Sequence, residues 1–350
     1  MEEEKKELEA PEELNQPVEE PQVEEKQPEE EKRAEVEPIK DELPGANPIN
    51  KIEDERPYNQ IIEDARLAFN KEYNKSRTMS YIMMGIVLVI AVASVIMTTR
   101  NEMGFKIAGW SLIGAAIIGM LVYYIISRNK LPVMTKDYIK LVNETLNGYN
   151  YTDQLVSEAS TDEKEKIELA ELSCDGVYKE LGQIASRNVV HAKYDGHNFV
   201  IGDVGLYNNA TGRNRVSVFV GKYLSMPNNL HFEGRYIVTI KGDSPVDLPN
   251  DVEELATLLD EGNFLVYGPK DGNYEKALGK KILPLLRKLK IDDTLLNVNF
   301  VFWAGHSAAY LSYCDEIMTL PFQKPFTGEQ NNKFRADLYA ALEALEIINK

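Results

Sequence analysis

The hydrophobic pattern of the chain is dominated by two long apolar runs. Residues 78–99 carry no charge between Arg77 and Arg100, and residues 107–127 carry none between Lys106 and Arg128. At about 1.5 Å per residue, either run crosses a hydrocarbon layer of roughly 30 Å. The pattern predicts two transmembrane helices, 78–99 and 107–127, joined as a hairpin. Upstream, Tyr58, Ile61, Ile62, Ala65, Ala68, Phe69 and Tyr73 recur at helical spacing, which predicts a juxtamembrane amphipathic helix over 58–77. Pro132 predicts a break after the second span. Two further helices are expected at about 133–147 and 153–181, the second rich in Glu and Lys.

The period changes between 187 and 240. NVVHAKY, NFVIGDVGLYN, RVSVFVGKYLSM and RYIVTIKG are short, rich in β-branched and aromatic residues, and divided by DG, NNATG and PNN turn signals. They predict antiparallel strands. A helix is expected at 250–260, a strand at 264–267 and a helix near 273–290 that Pro284 should kink or restart. NVNFVFWA and AAYLSY flank Gly305-His306-Ser307 and predict a hairpin. The chain ends in an amphipathic pattern, with Phe334, Leu338, Ala341, Leu342, Leu345 and Ile348 on one helical face. The fold class expected is therefore an α+β soluble domain over 131–350, mounted on a two-helix transmembrane hairpin and preceded by a disordered acidic tail.

Charge refines this division. The 350 residues carry a net charge of −17, yet residues 1–50 alone hold 18 acidic and 6 basic residues. Residues 1–57 also hold eight prolines and no aromatic before Tyr58, a composition that cannot offset its ordering entropy. Such a segment is either a solvated tail or an acidic docking arm for a basic partner. Acidity argues against a nucleic-acid partner, which needs a basic footprint. Lys and Arg flank the outer ends of the spans (Arg66, Lys71, Lys75, Arg77; Arg128, Lys130, Lys136, Lys140), against Arg100 and Lys106 between them. The positive-inside rule then places both termini in the cytoplasm of a multi-pass cell-membrane protein. Ser111, Ala115 and Gly119 form a small-residue strip on the second span. It is suited to packing on the first span or to a homo-oligomer through the hairpin. Cys174 and Cys314 form no metal or redox spacing and read as reduced thiols.

Candidate chemistry is thin. Gly305-His306-Ser307-Ala308-Ala309 approximates a hydrolase nucleophile elbow, but no histidine follows Ser307 and the sequence after it is β-like. His191 and His197 flank a turn in HAKYDGH, and only Asp203 or His231 suggests itself as a further metal ligand. Gly272 and Gly279-Lys280 lack phosphate-loop spacing, and Gly202-Asp203-Val204-Gly205 is no dinucleotide fingerprint. No cofactor or metal is expected. If the chain were an enzyme, its site would be drawn from His191, His197, His231, His306 and Ser307.

The end of the chain resembles a family. GNFLVYGPKDGNYEKALGKKILPLLRKLK, the VNFVFWAGHSAAYLSY hairpin, Pro321-Phe322, Pro325-Phe326 and DLYAALEALEIIN follow the layout of the bacterial two-span membrane family known as domain of unknown function 3137. The matching positions are Phe264 and Val266, Leu283-Pro284, Phe300 to Tyr310 and Ile347-Ile348-Asn349. Asn349 stands where that family has an acidic residue, and its common arginine before the Leu-Pro step is missing. The resemblance implies a bacterial inner or plasma membrane protein and brings no activity or site residues. The function expected is a non-enzymatic, membrane-anchored interaction or regulatory module with an unidentified protein partner, the alternative being a membrane-bound enzyme.

Overall fold

The computed structural model describes residues 47–349 apart from 53, 100–101, 163, 179–180, 210–215, 232, 241–249, 259–263, 315–321 and 323, and leaves out the side chains of 126–130 and 240. All of these fall in one unit, Pro44–Lys350. The tail expected over 1–57 lies outside the described residues up to 46. Its last residues are part of the fold. Asn47–Pro48 forms a strand, β1, that pairs with Ser160 and Thr161, and Ile49 N–H donates to Ala159 O at 2.7 Å.

Both apolar runs lie on long helices, α1 (Tyr58–Thr98) and α2 (Met103–Asn150). The juxtamembrane segment and the first run are one continuous helix of 41 residues. The 48-residue α2 passes through Pro132 without ending. An interior proline costs about 3 kcal/mol. Continuation is sustained by packing beyond it, where Tyr138 and Val142 are buried against Tyr58 and Ile62 of α1. Both helices are long and apolar enough to cross a membrane, and only 6% of each apolar stretch is buried. A core helix of a soluble protein would be mostly covered.

The remainder is a ten-stranded antiparallel sheet in the order β1-β2-β3-β4-β5-β10-β9-β6-β8-β7. Its strands are β2 (Val156–Thr161), β3 (Leu181–Tyr194), β4 (His197–Asn208), β5 (Ser217–Pro227), β6 (Arg235–Ile240), β7 (Glu253–Leu258), β8 (Phe264–Gly268), β9 (Leu295–Trp303) and β10 (His306–Tyr313). The β3–β4 turn is Asp195-Gly196, with φ of +46° and +87°. Two left-handed residues make the tight connection whose twist matches antiparallel strands.

Alternation along the strands sends side chains to two faces, and each face is covered. On the front, Phe199, Leu224, Phe300 and Leu311 pack under the C-terminal helix α6 (Glu329–Ile347) and two short helices, α4 (Tyr274–Leu278) and α5 (Ile282–Leu286). On the back, Phe219, Tyr223, Val301 and Tyr310 pack with Ile167, Leu172 and Val177, around the short helix α3 (Leu169–Asp175).

Three helical expectations are corrected. The stretch 153–181 is β2 and α3, followed by the start of β3, not a helix. Val156 and Ala159 are buried beside β3, across a bulge in which Glu158 takes φ +52°. Residues 250–260 contain the edge strand β7, paired with β8. At β7 the partner strand overrides local helix propensity, and at β2 pairing with β3 decides the structure. The helix expected near 273–290 breaks at Gly279 (φ +71°), not at Pro284, which sits in the first turn of α5 where its missing N–H costs nothing.

Candidate functional site

The helical pair and the sheet meet at a joint built mainly from aromatic side chains. Tyr58 stacks on Tyr149 with centroids 3.8 Å apart, and Phe69 stacks on Tyr138 at 4.9 Å. Phe322 and Phe326, from the segment before α6, close around these rings. Polar bonds pin the joint. The Tyr58 hydroxyl lies 2.9 Å from Gly328 O and 2.6 Å from Asn332 Oδ1, Asn70 Nδ2 donates to Phe322 O at 2.7 Å, and Asn150 pairs with Asn331. Glu63 accepts from Arg66 and from Phe326 N–H, and the Arg66 bond above all holds its carboxyl below the usual carboxylate range. An open cavity of about 590 Å³ borders the joint. Its walls include the Arg56–Asp54 and Arg335–Asp153 ion pairs, and the Arg335 guanidinium lies 4.5 Å from the Tyr149 ring centroid.

A second tie runs from α2 to the front of the sheet. Asn188, left-handed at φ +51° in a β3 bulge, accepts from Asn143 Nδ2 at 3.2 Å and donates to Asp203 Oδ2 at 2.6 Å. Asp203 is buried and paired with Lys222, whose ammonium sits 5.1 Å from the Phe334 ring centroid on α6. The back of the sheet holds a separate polar core around Asp175, the fully buried last residue of α3. Tyr310 O–H donates to its Oδ2 at 2.7 Å, Trp303 Nε1–H to its Oδ1 at 3.2 Å, and His306 Nε2 lies 3.1 Å from Oδ1. The Tyr223 hydroxyl shares its proton between Asp175 and Glu171. Burial first, and the Asp175 charge second, hold the Tyr223 and Tyr310 phenols well above their ordinary value, so both remain donors. A carboxylate at a helix C-terminus opposes the helix dipole. These donors are what keep it there.

The structure separates the residues singled out from sequence. His306 and Ser307 are neighbours on β10, so alternation sends His306 to the back, beside Asp175, and Ser307 to the front. Ser307 is fully buried and accepts from Asn228 Nδ2 at 2.7 Å. Asn228 also donates to Trp303 O and accepts from Gly305 N–H and Leu230 N–H, so it is a clamp for the β9–β10 turn. His191 faces Glu165 at 2.6 Å. His197 opens β4 beside the Asp195-Gly196 turn, and His231 is exposed between β5 and β6. Among the described residues, no three His, Cys, Asp or Glu side chains are grouped to hold a metal ion. Ser111, Ala115 and Gly119 are exposed on α2, and a Cβ added at Gly119 would meet nothing within 4 Å. The close approach of α1 and α2 is instead at Gly109, where a Cβ would lie 2.8 Å from Thr98 and 3.0 Å from Ser94 O.

Comparison with known proteins adds little. No protein-family model matches the chain, and no curated protein does. A solved structure, that of the mycobacterial trehalose monomycolate transport factor A, TtfA, aligns with 46% of this chain and 74% of its own. The identity is 12% and the TM-score 0.28, and similarity of that order fixes neither fold nor function.

Sequence reasoning missed Asp175, and it singled out Asp203 only as a possible metal ligand, whereas Asp203 is bonded to Asn188 and Lys222. Asp175 sits in a polar stretch, and its partners Tyr223, Trp303 and Tyr310 come from strands far along the chain. The one available hint was the density of Tyr and Trp in the hairpin around Gly305, more hydroxyl and indole donors than an apolar core needs.

Proposed function

We propose that this chain is a membrane-anchored, non-enzymatic interaction or regulatory module. In this reading α1 and α2 cross the membrane through residues 78–99 and 107–127. The sheet and the acidic arm lie together on the cytoplasmic side, in a bacterial cell membrane if the family resemblance holds. The observation that carries the reading is the joint. Apolar stretches that are almost bare run without interruption into helices clamped to the sheet by Tyr58, Tyr149, Phe322 and Phe326. An enzyme tethered merely for location needs no such coupling, because a flexible linker suffices. A rigid mount fixes how a recognition surface is presented to a neighbour in the membrane. The acidic arm enters the fold at β1, and its charge suits a basic partner.

Two measurements test this. Alkaline extraction of membranes should leave the full-length protein in the pellet, and its release would sink the anchor. Co-purification in mild detergent should then recover a specific partner, compared between the full chain and a version lacking residues 1–46. Loss of the partner on truncation makes the arm the docking element, and retention moves recognition to the sheet. A reproducible absence of partners would overturn the interaction reading.

A further inference from the structure

Where the apolar runs give way to polar sequence, a second cavity of about 440 Å³ opens between α1 and α2. Its walls include Ser76, Arg77, Ser80, Tyr81, Tyr124 and Pro132. Among the described residues it is lined by one cation and no carboxylate. Arg77 Nε donates to the Tyr81 hydroxyl at 3.2 Å, and its guanidinium carbon lies 5.6 Å from that ring centroid. Among the described residues Arg77 makes no ion pair, unlike Lys75 two positions earlier, which faces Glu72. The hydroxyls of Ser80 and Tyr123 meet at 2.7 Å and close the space between the helices.

We infer that this cavity is a headgroup site for an anionic phospholipid. The inference rests on the membrane reading above, which sets the cavity at the headgroup layer on the side of the sheet. A guanidinium held by an aromatic ring keeps a planar fork of donors free for a phosphate, and the uncompensated charge selects an anion. Tyr124, Leu131 and Pro132 offer an apolar wall for the glycerol and the first acyl carbons. The basic flanks of both spans draw anionic lipid to the same leaflet. A free phosphate would satisfy Arg77 but leave the apolar wall uncovered.

The test is native mass spectrometry of the full-length protein in mild detergent, with phosphatidylglycerol, phosphatidylcholine or inorganic phosphate added. Phosphatidylglycerol adducts should exceed phosphatidylcholine adducts by about tenfold, because both offer the phosphate but the choline of phosphatidylcholine cancels the net charge that Arg77 would compensate. Arg77→Ala should abolish the preference, Arg77→Lys should keep part of it, and Lys75→Ala should leave it intact. Equal adducts from Arg77→Ala and the wild type would overturn the site. So would a loss as large with Lys75→Ala, which signals diffuse attraction, or displacement by millimolar phosphate, which signals a soluble-anion site. Alkaline extraction separates the two levels of failure. Protein retained in the pellet without lipid preference refutes the headgroup site alone, whereas protein released from it refutes the anchor.

Discussion

Single residues in this protein act through buried polar contacts. Asp175 gathers Tyr310, Tyr223, Trp303 and His306 on the back of the sheet, so Asp175→Ala would leave several buried donors without an acceptor. The expected loss is about 3–5 kcal/mol, read as a lowered unfolding midpoint of the detergent-solubilised protein. Ser307→Ala should cost only about 1 kcal/mol, because Asn228 keeps its bond to Trp303 O. A wild-type midpoint for Asp175→Ala would show that the carboxylate does not anchor α3. Asp337, on the buried side of α6, gives a pH signature. Burial raises its carboxyl from 3.8 to about 6, opposed by Lys333 and by the Tyr313 hydroxyl 3.3 Å away, with Asp292 adding to the rise. Between those two values the folded protein keeps a proton that the unfolded chain has released. Stability therefore falls as pH rises through this window, by at most about 3 kcal/mol. Asp337→Asn should flatten that slope and raise the midpoint at pH 7, and an unchanged slope would refute the assignment. None of this was legible in the sequence. Asp175 and Asp337 look there like ordinary surface acids of polar helices, and only the placement of distant strands buries them.

At the scale of elements, what could be read locally was read well. The two apolar helices, the strands between 187 and 240, the hairpin at Gly305 and the terminal helix each carry their own period and turn residues, so no distant partner is needed to specify them. The failures fell where a partner decides. Residues 253–258 have helix-favouring composition, and 156–161 lie just before a Glu- and Lys-rich stretch, yet each completes a sheet through pairing with a strand already specified. Gly279 outcompeted Pro284 as the breaker because a left-handed residue stops a helix, whereas a proline in the first turn does not. The centre of the sheet depends on a different glycine. A Cβ at Gly221 of β5 would lie 2.0 Å from Leu311 O on β10 and 2.9 Å from the Phe219 ring. Backbone cannot yield there without breaking the β5–β10 pairing, so Gly221→Ala should cost about 2–3 kcal/mol or more. The exposed Gly85→Ala, with nothing within 4 Å in the interior of α1, is the control and should be neutral or raise the midpoint slightly. Equal midpoints for the two variants would show that β5 and β10 are less closely apposed.

At the scale of the molecule, the order of its parts constrains topology. If both apolar helices span, two consecutive crossings return the chain to the side it left, so the joint at Tyr58 and Tyr149 and the whole sheet share one compartment with the start of α1. Which compartment is a matter of charge: eight Lys and Arg flank the outer ends of the spans and two lie between them. Cys174 is exposed on the sheet side, and Met103, 78% exposed, begins α2 at the opposite end of the helical pair. A membrane-impermeant maleimide should therefore reach Met103→Cys in intact cells and reach Cys174 only after permeabilisation. The reverse pattern would invert the orientation while leaving the anchor intact. Labelling of both sites in intact cells would mean that the helical pair does not span. Because packing and hydrogen bonds tie the sheet to the helical pair, orientation also decides what the sheet can meet. If the sheet is cytoplasmic, being clamped to its spans lets it recognise only soluble cytoplasmic proteins or neighbours in the same membrane. Inversion would give the acidic arm and the sheet extracellular partners instead, so the labelling pattern is the measurement that bounds every partner search.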